Sequence, residues 1–119
     1  MTLSYIPADT NDEGILKATA SGVLPNGKPV VVNADGTVSV VGGGNLTSEN
    51  YIGISTGGTY ADGSNATVKI IGNTSDEQSG LTAGQAYYVQ TDGTLDTTPA
   101  TPSVFAGTAL SATKMIVKT

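Results

Sequence analysis

The chain has 119 residues, with ten acids against five lysines and no arginine, histidine, cysteine or tryptophan. Without arginine it lacks the usual bidentate reader of phosphate and guanine, and a net charge of −5 disfavours anionic membrane surfaces, so neither nucleic acid nor membrane is an expected partner. The missing histidine and cysteine remove the commonest general bases, nucleophiles and soft-metal ligands.

Charged residues make up only 13% of the chain. That argues for an ordered protein, because disordered chains are charge-rich. The 16 glycines, together with abundant Thr and Val, point to β-structure with many tight turns. Residues 1–20 show no basic start followed by an apolar run, and no stretch approaches the roughly 18 apolar residues of a membrane span. Synthesis in a cytoplasm is the expectation.

In chain order, residues 1–20 are polar after Pro7 and are expected to form an extended arm. Asp9, Asn11, Asp12 and Glu13 within it read as a solvated acidic stretch. Val30-Val31-Val32 is a run of β-formers followed by Asp35-Gly36 and then Thr37-Val38-Ser39-Val40. Asp-Gly enters the positive-φ region that a tight turn demands, which predicts a hairpin. Gly42-Gly43-Gly44-Asn45 reads as a flexible loop, since no Lys-Ser or Lys-Thr follows to make it a phosphate loop. Tyr51 to Ile54 and Ala66 to Ile71 read as strands, with a loop between them over residues 57–63 that contains Asp62-Gly63. Thr74 to Gln78 is expected to form one short turn. A second hairpin follows, with Tyr87-Tyr88-Val89, Asp92-Gly93 and Thr94-Leu95. Residues 97–102 hold two prolines and predict an extended connector. Phe105 to Thr108 and Ala112 to Val117 close the chain as strands.

These elements repeat. A shift of 57 residues places Leu24, Gly27, Val32, Asp35, Gly36 and Thr37 on Leu81, Gly84, Val89, Asp92, Gly93 and Thr94. Tyr51-Ile52-Gly53 then resembles Phe105-Ala106-Gly107, and Ala66 to Ile71 aligns with Ala112 to Val117. Neither half is large enough to bury its own apolar face, so the halves should pack together. The expected architecture is all-β: a small compact barrel or sandwich with Greek-key or tulip-like connections. It consists of one domain over residues 21–119, in related halves of about 21–72 and 78–118, preceded by the arm over 1–20. Within the second hairpin, Tyr87 and Tyr88 point to opposite faces, one toward the core and one toward the rim.

No catalytic constellation is visible: Ser and Lys are scattered, and neither GxSxG nor SxxK occurs. The Asp-Gly pairs lack the ligand spacing of a calcium loop, so turn chemistry accounts for them. No enzyme activity, cofactor or metal is expected.

The stretch Ser79 to Leu95, with Pro102 to Ala109 and Ala112 to Lys118, resembles a segment that recurs in virion proteins of tailed phages, particularly marine and cyanobacterial ones. Val32 to Val38 and Asn50 to Ser55 look like parts of the same pattern. The family it most resembles is the capsid-decorating, or cement, proteins. That resemblance implies a β-rich homotrimer on the outer surface of the phage head, in contact with the major capsid protein. It also implies a use for the arm, in which Leu3, Tyr5, Ile6 and Pro7 would add to an exposed capsid strand edge through backbone hydrogen bonds. A tail, neck or fibre-associated virion protein, or a glycan-binding adhesion module, are the alternatives.

Overall fold

The computed structural model describes residues 14–118. Among them are ten strands and no helix: β1 (Ile15–Thr19), β2 (Pro29–Val32), β3 (Val38–Val40), β4 (Tyr51–Thr56), β5 (Asn65–Ile70), β6 (Thr74–Ser75), β7 (Ala86–Val89), β8 (Leu95–Asp96), β9 (Phe105–Ala109) and β10 (Met115–Val117). They form two antiparallel five-stranded sheets, ordered β1-β5-β4-β2-β3 and β6-β10-β9-β7-β8. The second order is the first with each strand replaced by its counterpart five places on, so the internal repeat is also a repeat of topology.

The duplication extends to single backbone bonds. The Asn33 amide donates to the Thr37 carbonyl at 2.8 Å, and the Gln90 amide to that of Thr94 at 2.8 Å. Val32 donates to Asn50 and Val89 to Val104, each at 2.9 Å. The pairing of β2 with β4 shifts register between Val30 and Val31, and that of β7 with β9 shifts between Tyr87 and Tyr88. Such a bulge re-aims the side chains beyond it.

Three points differ from the sequence reading. Ile15–Thr19, counted there with the arm, pairs along its whole length with β5. Leu16, Ala18 and Ala20 alternate with Lys17 and Thr19, a period-2 pattern short enough to pass for a polar tail. Thr74-Ser75, expected in a turn, pairs with β10 as β6, and the buried Ser75 hydroxyl is held by the Gln78 side chain at 3.1 Å. The match of Ala66 to Ala112 is one residue out. Ser55 faces Val68 where its counterpart Ala109 faces Met115, so Val68 corresponds to Met115. A one-residue slip exchanges the two faces of a strand, which makes the correction consequential.

Residues directly opposite on neighbouring strands share a face. In the first sheet, one face carries Leu16, Ala18, Val30, Val38, Ala66 and Val68, joined by Leu24 and Tyr60 into a core drawn wholly from the first half. Ala20 makes a single parallel bridge to Val38, bringing the two edge strands of this sheet together. One bridge is not a ladder, and the architecture is that of a small sandwich. The other face, with Val31, Tyr51 and Ile54, packs on Tyr87, Val89, Ala106, Met115 and Val117 of the second sheet in a core shared by both halves.

Candidate interaction surface

Pleating sends alternate side chains to opposite sides of a strand. In β7 this buries Tyr87 and Val89 in the shared core and leaves Tyr88 half-buried on the other side. The Tyr87 hydroxyl accepts a hydrogen bond from the Thr82 amide at 2.8 Å. Tyr88 lies opposite Phe105 of β9, with ring centroids 5.8 Å apart and planes tilted by 57°. Thr108 and Ile116, which pair with each other, are half-buried on the same face.

The repeat gives this face its meaning. The counterparts of Tyr88, Phe105 and Thr108 in the first sheet are Val31, Tyr51 and Ile54, which are 0%, 5% and 0% exposed because the second sheet covers them. The same positions therefore form the contact between the sheets in one half and a half-buried apolar face in the other. The alternation of Tyr87 and Tyr88 was readable in the sequence. The cross-strand partner, Phe105, emerges only when β7 and β9 are paired.

The two hairpin turns have matching chemistry and different surroundings. Asp35 Oδ1 accepts from the Thr37 amide at 3.1 Å and its hydroxyl at 2.6 Å. Asp92 Oδ1 accepts from the Thr94 amide at 3.0 Å and its hydroxyl at 2.6 Å. These bonds, the hydroxyl bond foremost, hold both carboxyl groups below their ordinary value of 3.8. A carboxyl group lowered in the fold adds stability above its unfolded value and loses it as pH falls through the folded value, so both turns should loosen only in acid. Gly36 and Gly93 both adopt φ of +87°. A side chain on Gly36 would meet open space, whereas one on Gly93 would lie 2.5 Å from the Val41 carbonyl oxygen of the first half. Gly36→Ala should therefore cost only the left-handed backbone term, about 1–2 kcal/mol. Gly93→Ala should cost clearly more, and paired urea titrations of the two variants measure the difference.

The remaining sites behave as supports. The Gly42 to Gly44 loop, expected to be flexible, is tied at both ends: Asn45 Oδ1 accepts from the Gly42 amide at 2.9 Å and Asn45 Nδ2 donates to the Val40 carbonyl at 3.0 Å. Asp62 accepts from the Gly22 amide at 2.8 Å. A cleft of about 260 Å³ lies on the seam between the halves, lined by Asn26, Lys28, Glu77, Gln78 and Thr94 among others. Gln78 spans the seam with a 2.9 Å bond to the Gly27 carbonyl, and Glu77 Oε1 is buried without a partner. Among the described residues no group of three acidic, histidine or cysteine side chains converges as a metal site. Leu3, Tyr5, Ile6 and Pro7, with the acidic stretch from Asp9 to Glu13, lie outside the described residues.

No family model and no curated protein matches the sequence.

Proposed function

We propose that this chain is a non-enzymatic decoration protein of a phage head, which binds the outer surface of the assembled shell and bridges its major capsid subunits. The observation that supports this reading best is the open face of the second sheet, where Tyr88 and Phe105 lie side by side at positions that serve as a contact surface in the first sheet. Aromatic side chains presented on a rigid sheet make effective contact anchors, since little conformational entropy remains to be lost on binding. The sequence resemblance to virion proteins supplies the partner.

In this reading the arm adds a second attachment. Leu3, Tyr5, Ile6 and Pro7 lie along a capsid strand edge, with backbone hydrogen bonds supplying affinity. A homotrimer engages several such sites at once, and effective concentration multiplies modest individual affinities. A ligand that binds only the assembled shell stabilises it by linkage, and a cement needs no other chemistry.

Reconstruction of whole particles tests the proposal. Copies on every equivalent site of the head lattice are expected, and a ring or spike at the neck or tail would replace decoration with a tail-associated role. Tyr88→Ser with Phe105→Ser should weaken head binding about a hundredfold or more, because anchor aromatics contribute about 2 kcal/mol or more each. Because both rings are half-buried, the fold should also lose about 1–3 kcal/mol, so binding is compared with variants that circular dichroism shows to be folded. Deleting residues 2–7 should lower occupancy with the β-domain intact, and unchanged occupancy would remove the arm from the contact.

A further inference from the structure

The halves share one topology but bury their apolar residues differently. The inner face of the first sheet closes on itself. Edge strands β1 and β3 meet at Ala20 and Val38, the Ser21 amide donates to the Val38 carbonyl at 2.8 Å, and the Ser39 hydroxyl donates to the Ser21 carbonyl at 2.9 Å. The loop before β5 lays Tyr60 over this interior: Leu24 and Tyr60 exchange two backbone bonds of 2.9 Å, and the Tyr60 hydroxyl donates to the Thr56 carbonyl at 2.8 Å. Each residue of the resulting core comes from the first half.

The second sheet lacks the parts for such closure. Its edge strands β6 and β8 have two residues each, where β1 has five and β3 three. The place of Ala18 in β1 is taken by Glu77, and that of Val40 in β3 by the exposed Thr97. The chain between β9 and β10 is a short turn, with Leu110 bonded to the Lys114 carbonyl at 2.8 Å. The inner residues Tyr87, Val89, Ala106, Met115 and Val117 instead rest on Val31, Tyr51 and Ile54 of the first half.

We infer that the fold is a hierarchy in which the first half, residues 14–72, holds its own core, while the second half, residues 73–118, stays ordered only while docked on the Val31–Tyr51–Ile54 face. The second half therefore opens first and by itself, and it never outlasts the first. Local opening of this kind is read by amide exchange, since each amide reports the smallest unfolding event that frees it.

The repeat supplies its own controls within the 119-residue chain. Ile70 and Val117 donate to Gly14 and Asn73 at 2.8 Å each, Gly27 and Gly84 to Ser55 and Ala109 at 3.0 and 2.9 Å, and Leu24 and Leu81 to Tyr60 and Ala112 at 2.9 and 3.1 Å. In each matched pair, exchange followed by NMR and corrected for intrinsic rate should be about tenfold or more slower in the first member, as independent opening of the second half requires. A smaller ratio or the reverse order overturns the hierarchy. Two variants give a second reading. Met115→Ala raises the native state relative to both the half-open and the fully open state, so it should speed exchange about tenfold or more in both halves. Val68→Ala at the counterpart position weakens the native and half-open states alike, and should speed the first-half amides while leaving those across 74–117 unchanged. First-half amides untouched by Met115→Ala, or second-half amides accelerated by Val68→Ala as much as the first-half ones, refutes it. If Val68→Ala does not fold, the wild-type pairs still decide.

Discussion

Alanine at Gly53 is expected to prevent stable folding, and alanine at Gly107 to loosen the second half while the first survives. The two glycines are counterparts, each on the strand at the centre of its sheet and beside the register break with the neighbouring strand. A Cβ at Gly53 would collide with the Lys69 carbonyl oxygen, and one at Gly107 with that of Ile116. Both obstacles are backbone, held in a ladder on the adjacent strand, so no side-chain rotation can relieve them. Overpacking usually costs about 1–3 kcal/mol, and a clash with ladder backbone belongs at or beyond the top of that range. Against a total stability of about 5–15 kcal/mol, Gly53→Ala removes a large share from the half on which the other depends. Urea unfolding followed by β-sheet circular dichroism checks this. A midpoint for either variant equal to that of the wild type would mean that the strands can separate at the bulge without cost.

The second large effect is expected at Tyr51. Its ring is 5% exposed in the shared core, and its hydroxyl donates to the Ala106 carbonyl at 3.2 Å. Tyr51→Ala should cost about 3–5 kcal/mol, the range for deleting a buried aromatic ring. Tyr51→Phe should cost only about 1 kcal/mol, because the Ala106 carbonyl keeps its bond from the Lys118 amide at 2.9 Å. Burial also raises the Tyr51 pKa well above its ordinary value of 10.0. The neutral hydroxyl is thus favoured by the folded state, so this contribution is complete below about pH 10 and declines as pH rises past the unfolded value, by up to about 1.4 kcal/mol per pH unit. The informative quantity is the difference between wild type and Tyr51→Phe, which isolates this hydroxyl. Its advantage for the wild type should shrink and then reverse between about pH 9 and 11. Parallel stability curves over that span would show that the hydroxyl ionises without opening the core.

Strand identity, hairpin position and the duplication itself were legible in the sequence because they rest on short-range chemistry. β-branched runs, Asp-Gly at positive φ and a hydroxyl two residues after each Asp act over a few residues and recur at a constant shift in both halves. Faces and edges were not legible in the same way. β1 was hidden because five residues of weak alternation become a strand only beside β5. The match of β5 to β10 was one residue out because similar composition cannot choose between faces, whereas pairing with β4 and β9 can. Equivalent side chains such as Tyr51 and Phe105 have equivalent local sequence and different burial, one enclosed between the sheets and one half-buried on an outer face. Local chemistry is the same in both copies, but a sandwich has an inside and an outside. Only the stacking of one half on the other decides which copy is covered.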